Sequence, residues 1–154
     1  MALFIIQKAN ARLKFLYRKR KYLTFTTKKF LVMSLIQCHF DYACSFWFPC
    51  LSQNLKNRQQ TTQNKLVGFV LSLDQMIHVG PEHFKFLNWL PVAKRVDQII
   101  LCHVFKIRSG TAPDYLGEFF NLASSVHGYS TRFLDNGSYT IPQVKGFGKK
   151  FLWL

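Results

Sequence analysis

Cys38, Cys44 and Cys50 recur with five residues between neighbours, and His39 adjoins the first, a set of side chains that invites zinc. Structural zinc knuckles place roughly two to four residues between ligands, so the spacing argues against a metal site. These cysteines lie in apolar sequence, where thiols pack as small hydrophobes. Without a secretory context all four, including Cys102, are expected to be reduced and mostly buried. Cys102 and His103 suggest a nucleophilic pair, but neighbouring helical residues point about 100° apart and no acid is placed to orient the ring. His103 is therefore expected as a core histidine. Asp114 and Glu118 stand at i,i+4 on a short helix, where a capping Asp and an exposed Glu account for them better than metal ligands. No catalytic residue, metal or cofactor is expected.

The strongest chemical signal is attraction for a polyanion. The 154 residues hold 21 Lys and Arg against 7 Asp and Glu, and the imbalance is concentrated early: no acid precedes Asp41, and none lies between Asp41 and Asp74. Arg12, Lys14, Arg18, Lys19 and Arg20 form one basic stretch. A second, from Ser52 to Lys65, offers Lys56, Arg58 and Lys65 among Gln53, Asn54, Asn57, Gln59, Gln60, Thr61, Thr62, Gln63 and Asn64. Such a set matches a sugar-phosphate backbone, which accepts hydrogen bonds from these side chains without base contacts. Phe4 and Phe15 stand among the first cations, where they either stack on bases or make ordinary packing contacts. A solvated basic face is the bland alternative, and adhesion of residues 2–21 to an anionic membrane is another.

The elements that must position these residues read as helices. Leu3, Ile6, Ala9, Leu13 and Leu16 form one apolar stripe over residues 2–20. Thr26 or Thr27 is expected to cap a second helix whose residues Phe30 to Ile36 are apolar on all sides, making it central. Phe40 to Phe48 reads as a third, stopped by Pro49, and its aromatic cluster as a packing hub. Ser52 caps a fourth to about Leu73, with Leu55, Thr62, Leu66, Phe69, Val70 and Leu73 inward and Gly68 a weak point. Pro81 opens a fifth that Asn88 ends. Pro91 starts the longest pattern, with Val92, Val96, Ile99, Ile100, His103 and Ile107 inward, and Gly110 closes it. Pro113 begins one or two more turns. The stretch 131–141, around Asp135-Asn136-Gly137, carries a hairpin signal. The fold expected is all-α, a bundle of about six or seven helices over 1–120, with an irregular tail or short hairpin over 121–154. Tyr42, Trp47 and Trp89 are expected in the core. The apolar runs fall short of the roughly 18 residues of a membrane span. No secretory signal is expected, though residues 1–30 resemble a mitochondrial presequence in being basic and acid-free.

Five motifs in order, Arg12-Leu13-Lys14-Phe15-Leu16-Tyr17-Arg18-Lys19-Arg20, Phe40-Asp41-Tyr42-Ala43-Cys44-Ser45 with Trp47 and Pro49, Gln63-Asn64-Lys65, Leu87-Asn88-Trp89-Leu90-Pro91-Val92 and Ala112-Pro113-Asp114-Tyr115-Leu116, resemble the region after the palm in non-LTR retrotransposon reverse transcriptases of the jockey and LINE type. The resemblance spans roughly residues 8–150. It implies a helical thumb and the segment after it, holding an RNA or DNA duplex without regard to sequence. It also implies no catalysis by this stretch alone, because the family's Tyr-x-Asp-Asp pair is missing. Gln59 and Gly68 depart from the family pattern, which usually carries an aliphatic residue and a basic or larger one there, and the family's Trp-Asn-x-Leu-Pro ending is absent. These departures fit a decayed copy, so a translated remnant without a selected role stands as the other reading.

Overall fold

The computed structural model describes residues 2–74 and 76–119. The chain divides into two compact units, Met1–Asp97 and Gln98–Leu154. The described residues are helices and connecting turns with no strand among them. The expected hairpin around Asp135-Asn136-Gly137 lies outside the described residues.

In the first unit α1 (Ala2–Arg18) packs along α5 (Gln53–Leu71), and α2 (Phe25–Val32) and α6 (Pro81–Leu87) also lie against α5. The periodicity of α1 predicts its buried stripe: Ile6, Ala9, Leu13 and Leu16 are buried, while Leu3, in the first turn, is exposed. Thr24, not Thr26 or Thr27, caps α2, its Oγ1 accepting from the Thr27 N–H. Val32, Ile36 and Phe40 are buried at four-residue steps. In an ideal α-helix each such step drifts by about 40°. A π turn over Met33–Gln37, with the Cys38 N–H bonded to the Met33 carbonyl, takes up the extra residue and keeps Phe40 over the core. The segment, though apolar on several sides, is not central in the sense of being buried all round, because Phe30, Met33 and Leu35 face solvent.

The expected helix from Phe40 to Phe48 is broken in two, α3 (Cys38–Asp41) and α4 (Cys44–Trp47), by Ala43 at φ 49°. Trp47 braces the break by donating its indole N–H to the Tyr42 carbonyl at 2.8 Å. This break dismantles the proposed hub: Phe40 and Phe48 are buried, but Tyr42 turns out to 74% exposure and Phe46 to 72%. Tyr42 is therefore not a core residue. Trp47 is half-buried at the break, and Trp89 packs half-buried against the main cluster.

That cluster joins Ala9, Leu13 and Leu16 of α1 to Val32, Ile36, Phe40, Leu66, Val67, Phe69, Val70, Phe84 and Leu87. Full burial of a Leu, Ile or Phe contributes about 1.5–3 kcal/mol, so this cluster dominates the unit's stability. Ser72 and Asn88, both at φ 56°, end α5 and α6 with paired bonds back into the last turn: Leu73 to Gly68 and Ser72 to Phe69, then Trp89 to Phe84 and Asn88 to Lys85.

α7 (Val92–Arg108) begins in the first unit, where Val92 and Val96 are buried. In the second unit Gly110, at φ 67°, closes it by the same pairing, Thr111 to Lys106 and Gly110 to Ile107. Ile99, Ile100 and Ile107 are half-buried there, and His103 is exposed rather than a core residue. A 3-10 segment, Asp114–Phe119, follows Pro113.

Candidate nucleic-acid interface

The cations divide into those that hold the fold and those that face solvent. Arg12 belongs to the first group: its Nη1 donates to the Leu35 carbonyl and to His39 Nε2, so it ties α1 to the π turn and α3. A ring nitrogen that accepts from a guanidinium is unprotonated. Burial, the Arg12 charge and the Lys8 charge all push the His39 pKa down. Arg20 reaches the Leu73 carbonyl at 3.4 Å and lies over the Tyr17 ring. Two further cations, not singled out by sequence, also act inside the fold. Lys28 is buried, 2.7 Å from Ser72 Oγ and above the Phe69 ring, and Lys29 reaches the Leu87 carbonyl at 2.9 Å.

Lys14, Arg18 and Lys19 of the first basic stretch are exposed, as are Arg58 and Lys65 on α5. Arg58, Thr61 and Lys65 are spaced i, i+3 and i+7 and share one strip of that helix. Lys56 is about 200° around from Arg58 and lies 5.2 Å from the centre of the Phe48 ring, so it is not part of this strip. α1 and α5 border a cleft of about 600 Å³ whose wall includes Tyr17 of the first, Thr61, Asn64 and Lys65 of the second, and Asp74. Tyr17 sits edge-on to Phe69 with ring centres 5.0 Å apart, which fixes α1 against α5 at this point. Lys14 precedes Tyr17 by three residues and so flanks the cleft on the α1 side.

The amide-rich stretch of α5 is not uniformly outward. Gln59, Thr62 and Gln63 are buried, because they fall on the arc that carries Leu66, Phe69 and Val70. Gln60 and Gln63 instead secure the turn before α7: Gln63 Nε2 donates to the Leu90 carbonyl at 2.8 Å, and the Val92 N–H donates to Gln60 Oε1 at 2.9 Å. Gln60 Nε2 completes the network to Gln63 and Asn64. Periodicity could have found the buried arc, but two glutamines within it read as surface by type.

Asp41 is the only acid before Asp74, and Arg95 holds it through two bonds, Nε to Oδ1 at 2.6 Å and Nη2 to Oδ2 at 2.7 Å. The hydrogen bond to Asp41 raises the Arg95 pKa, outweighing the opposite effect of burial. α1 and α5 themselves contain no carboxylate, and the next acid along the chain, Asp74, stands in the wall of the cleft with Lys65.

Cysteine chemistry is not assembled. Cys44 is buried, and burial followed by the Asp41 charge pushes its thiol pKa up. Contrary to the expectation for the set, Cys38 and Cys102 are exposed; Cys38 is accommodated there by donating its thiol to the Ser34 carbonyl one turn back. Among the described residues no three His, Cys, Asp or Glu side chains gather as metal ligands, and no helix is long and apolar enough to cross a membrane. No protein-family model, curated protein or solved structure matches the chain.

Proposed function

We propose that this chain is a non-catalytic module that binds nucleic-acid duplexes through their backbones, of the kind that the thumb of a non-LTR reverse transcriptase provides. The observation that carries the reading is the set of exposed side chains on two packed helices, Lys14 and Arg18 on α1 with Lys19 just beyond its end, and Arg58, Thr61 and Lys65 on α5, in a unit whose only acid before Asp74 is already held by Arg95. The anionic-membrane alternative needs a free apolar stripe on α1, yet Ile6, Ala9, Leu13 and Leu16 are consumed by the core. The remnant alternative draws support from Gln59, which is buried with neither amide atom partnered.

Salt dependence tests the proposal. Each phosphate neutralised adds roughly 0.9 to the slope of log affinity against log salt on B-form DNA, so about four contacts give a slope near −3.6. Replacing Lys14, Arg18, Arg58 and Lys65 with alanine is expected to flatten that slope and to weaken all duplex sequences alike, with the circular-dichroism spectrum unchanged. An unaltered slope in this variant refutes the assignment.

A further inference from the structure

The outward side of α1 carries more than charge. Phe4 is 64% exposed and Phe15 is 59% exposed, on a helix whose core-facing stripe is already complete without them. They are eleven residues apart, which is about three turns, so the two rings project from nearly the same side some 16 Å apart along the axis. Lys8 lies between them with its ammonium 5.7 Å from the centre of the Phe4 ring. Ala11, also exposed, contributes almost no bulk between Lys8 and Phe15. Arg18 follows Phe15 by three residues and so stands one turn beyond it on the same side. The helix surface therefore reads aromatic, cation, gap, aromatic, cation along its length, with no acid.

We infer that this face is a track for single-stranded nucleic acid, in which Phe4 and Phe15 each stack on one base and Lys8 and Arg18 meet the phosphates. The inference rests on the nucleic-acid reading above and adds to its duplex-binding strips a face for single strands. A spacing of some 16 Å is several times the roughly 3.4 Å step between stacked bases, so the rings engage two separate bases rather than capping one stack. Exposed rings gain little against a duplex, whose base faces are closed by their neighbours, whereas a single strand offers every base as a π-face. Charge complementarity selects the polyanion, and the rings select the strand that can present its bases. An inserted membrane face is a poor match, because Lys8 and Arg18 interrupt the apolar surface that Phe4 and Phe15 would have to share.

The test is fluorescence anisotropy with the full chain, using a labelled oligothymidylate and a labelled blunt DNA duplex at matched salt. Each of Phe4→Ala and Phe15→Ala is expected to lower single-strand affinity about tenfold, and the pair roughly a hundredfold, while duplex affinity changes by less than about twofold. Both side chains are exposed, so the helical spectrum should be retained. A Phe4→Leu/Phe15→Leu variant keeps apolar bulk and removes the π-face; recovery of wild-type affinity by it would overturn stacking. Equal losses on strand and duplex, or no loss on the strand, would also overturn the inference while leaving the backbone reading intact. Wild-type chain that binds neither probe sinks both. Vesicles of phosphatidylserine and phosphatidylcholine form the last arm: if the alanine pair abolishes vesicle binding but not strand binding, the face is a membrane surface and the inference is wrong.

Discussion

Gln59 is 1% exposed and neither Nε2 nor Oε1 meets a donor or acceptor among the described residues. A buried amide in that state costs about 1–3 kcal/mol in protein contexts. Methionine retraces the same unbranched side chain without polar atoms and has similar helix propensity, so Gln59→Met removes the penalty with little repacking. The net expectation is a gain of about 2 kcal/mol, which for a chain of this size raises the melting midpoint by roughly 4–8 °C. Gln63, four residues on and equally buried, supplies the control. Its amide donates to Leu90 and accepts from Gln60, so Gln63→Met strands those partners and is expected to lose about 1–3 kcal/mol. Urea midpoints for the two variants should thus move in opposite directions. If Gln59→Met lowers the midpoint, the amide has a partner and the reasoning fails.

Two backbone changes carry further expectations. A Cβ built on Gly68 meets nothing within 4 Å, so Gly68→Ala should add about 1 kcal/mol to the unfolding free energy. Ala43 holds a left-handed conformation at φ 49°, and Ala43→Gly should stabilise by about 0.5–1 kcal/mol in the same urea series. The lowered His39 pKa gives a pH dependence: the unfolded chain takes up the proton first, so stability is full above about pH 6.5 and falls as the pH drops through that value. Thermal midpoints measured from pH 8 to 5 should show this fall, and His39→Gln, which still accepts from Arg12, should flatten it; an identical fall in that variant counts against the assignment.

Where one residue type and one period agreed, the sequence was legible. The stripe of α1, the Pro81 start and Asn88 end of α6, and the Gly110 end of α7 were readable because each depends on local chemistry alone. The break at Ala43 was not, since alanine gives no turn signal and the left-handed conformation is imposed by its surroundings. Tyr42 was misplaced by the same break, as one residue's change of backbone direction reverses which aromatic rings face inward. The π turn was equally hidden, because its cause is the register that packs Phe40, not the composition of Met33–Gln37. For the candidate site, sequence identified the basic stretches but could not rank their members: Arg12, Arg20 and Lys56 touch parts of the fold many residues away or across a bend, while Lys14, Arg18, Arg58 and Lys65 do not.

That ranking follows from the shortage of acids. A fold with one carboxylate in its first 73 residues must find other negative ends for any cation it draws inward. Helix C-termini supply them, since their last carbonyls are unpaired and carry the negative end of the dipole. Arg20 reaches the Leu73 carbonyl just beyond α5 and Lys29 reaches the carbonyl of Leu87, the last residue of α6, while Lys28 donates to the Ser72 hydroxyl at the end of α5. Asp41 is taken by Arg95. Each of these contacts removes one cation from the surface and one acceptor from competition. What remains outward on α1 and α5 is a strip of positive charge for which those two helices provide no internal counter-ion. In water such a strip holds mobile anions, and a phosphate backbone that displaces them gains the entropy of their release. The same scarcity that leaves the fold to hold its inward cations with uncharged oxygens thus leaves the exposed ones available to a polyanion.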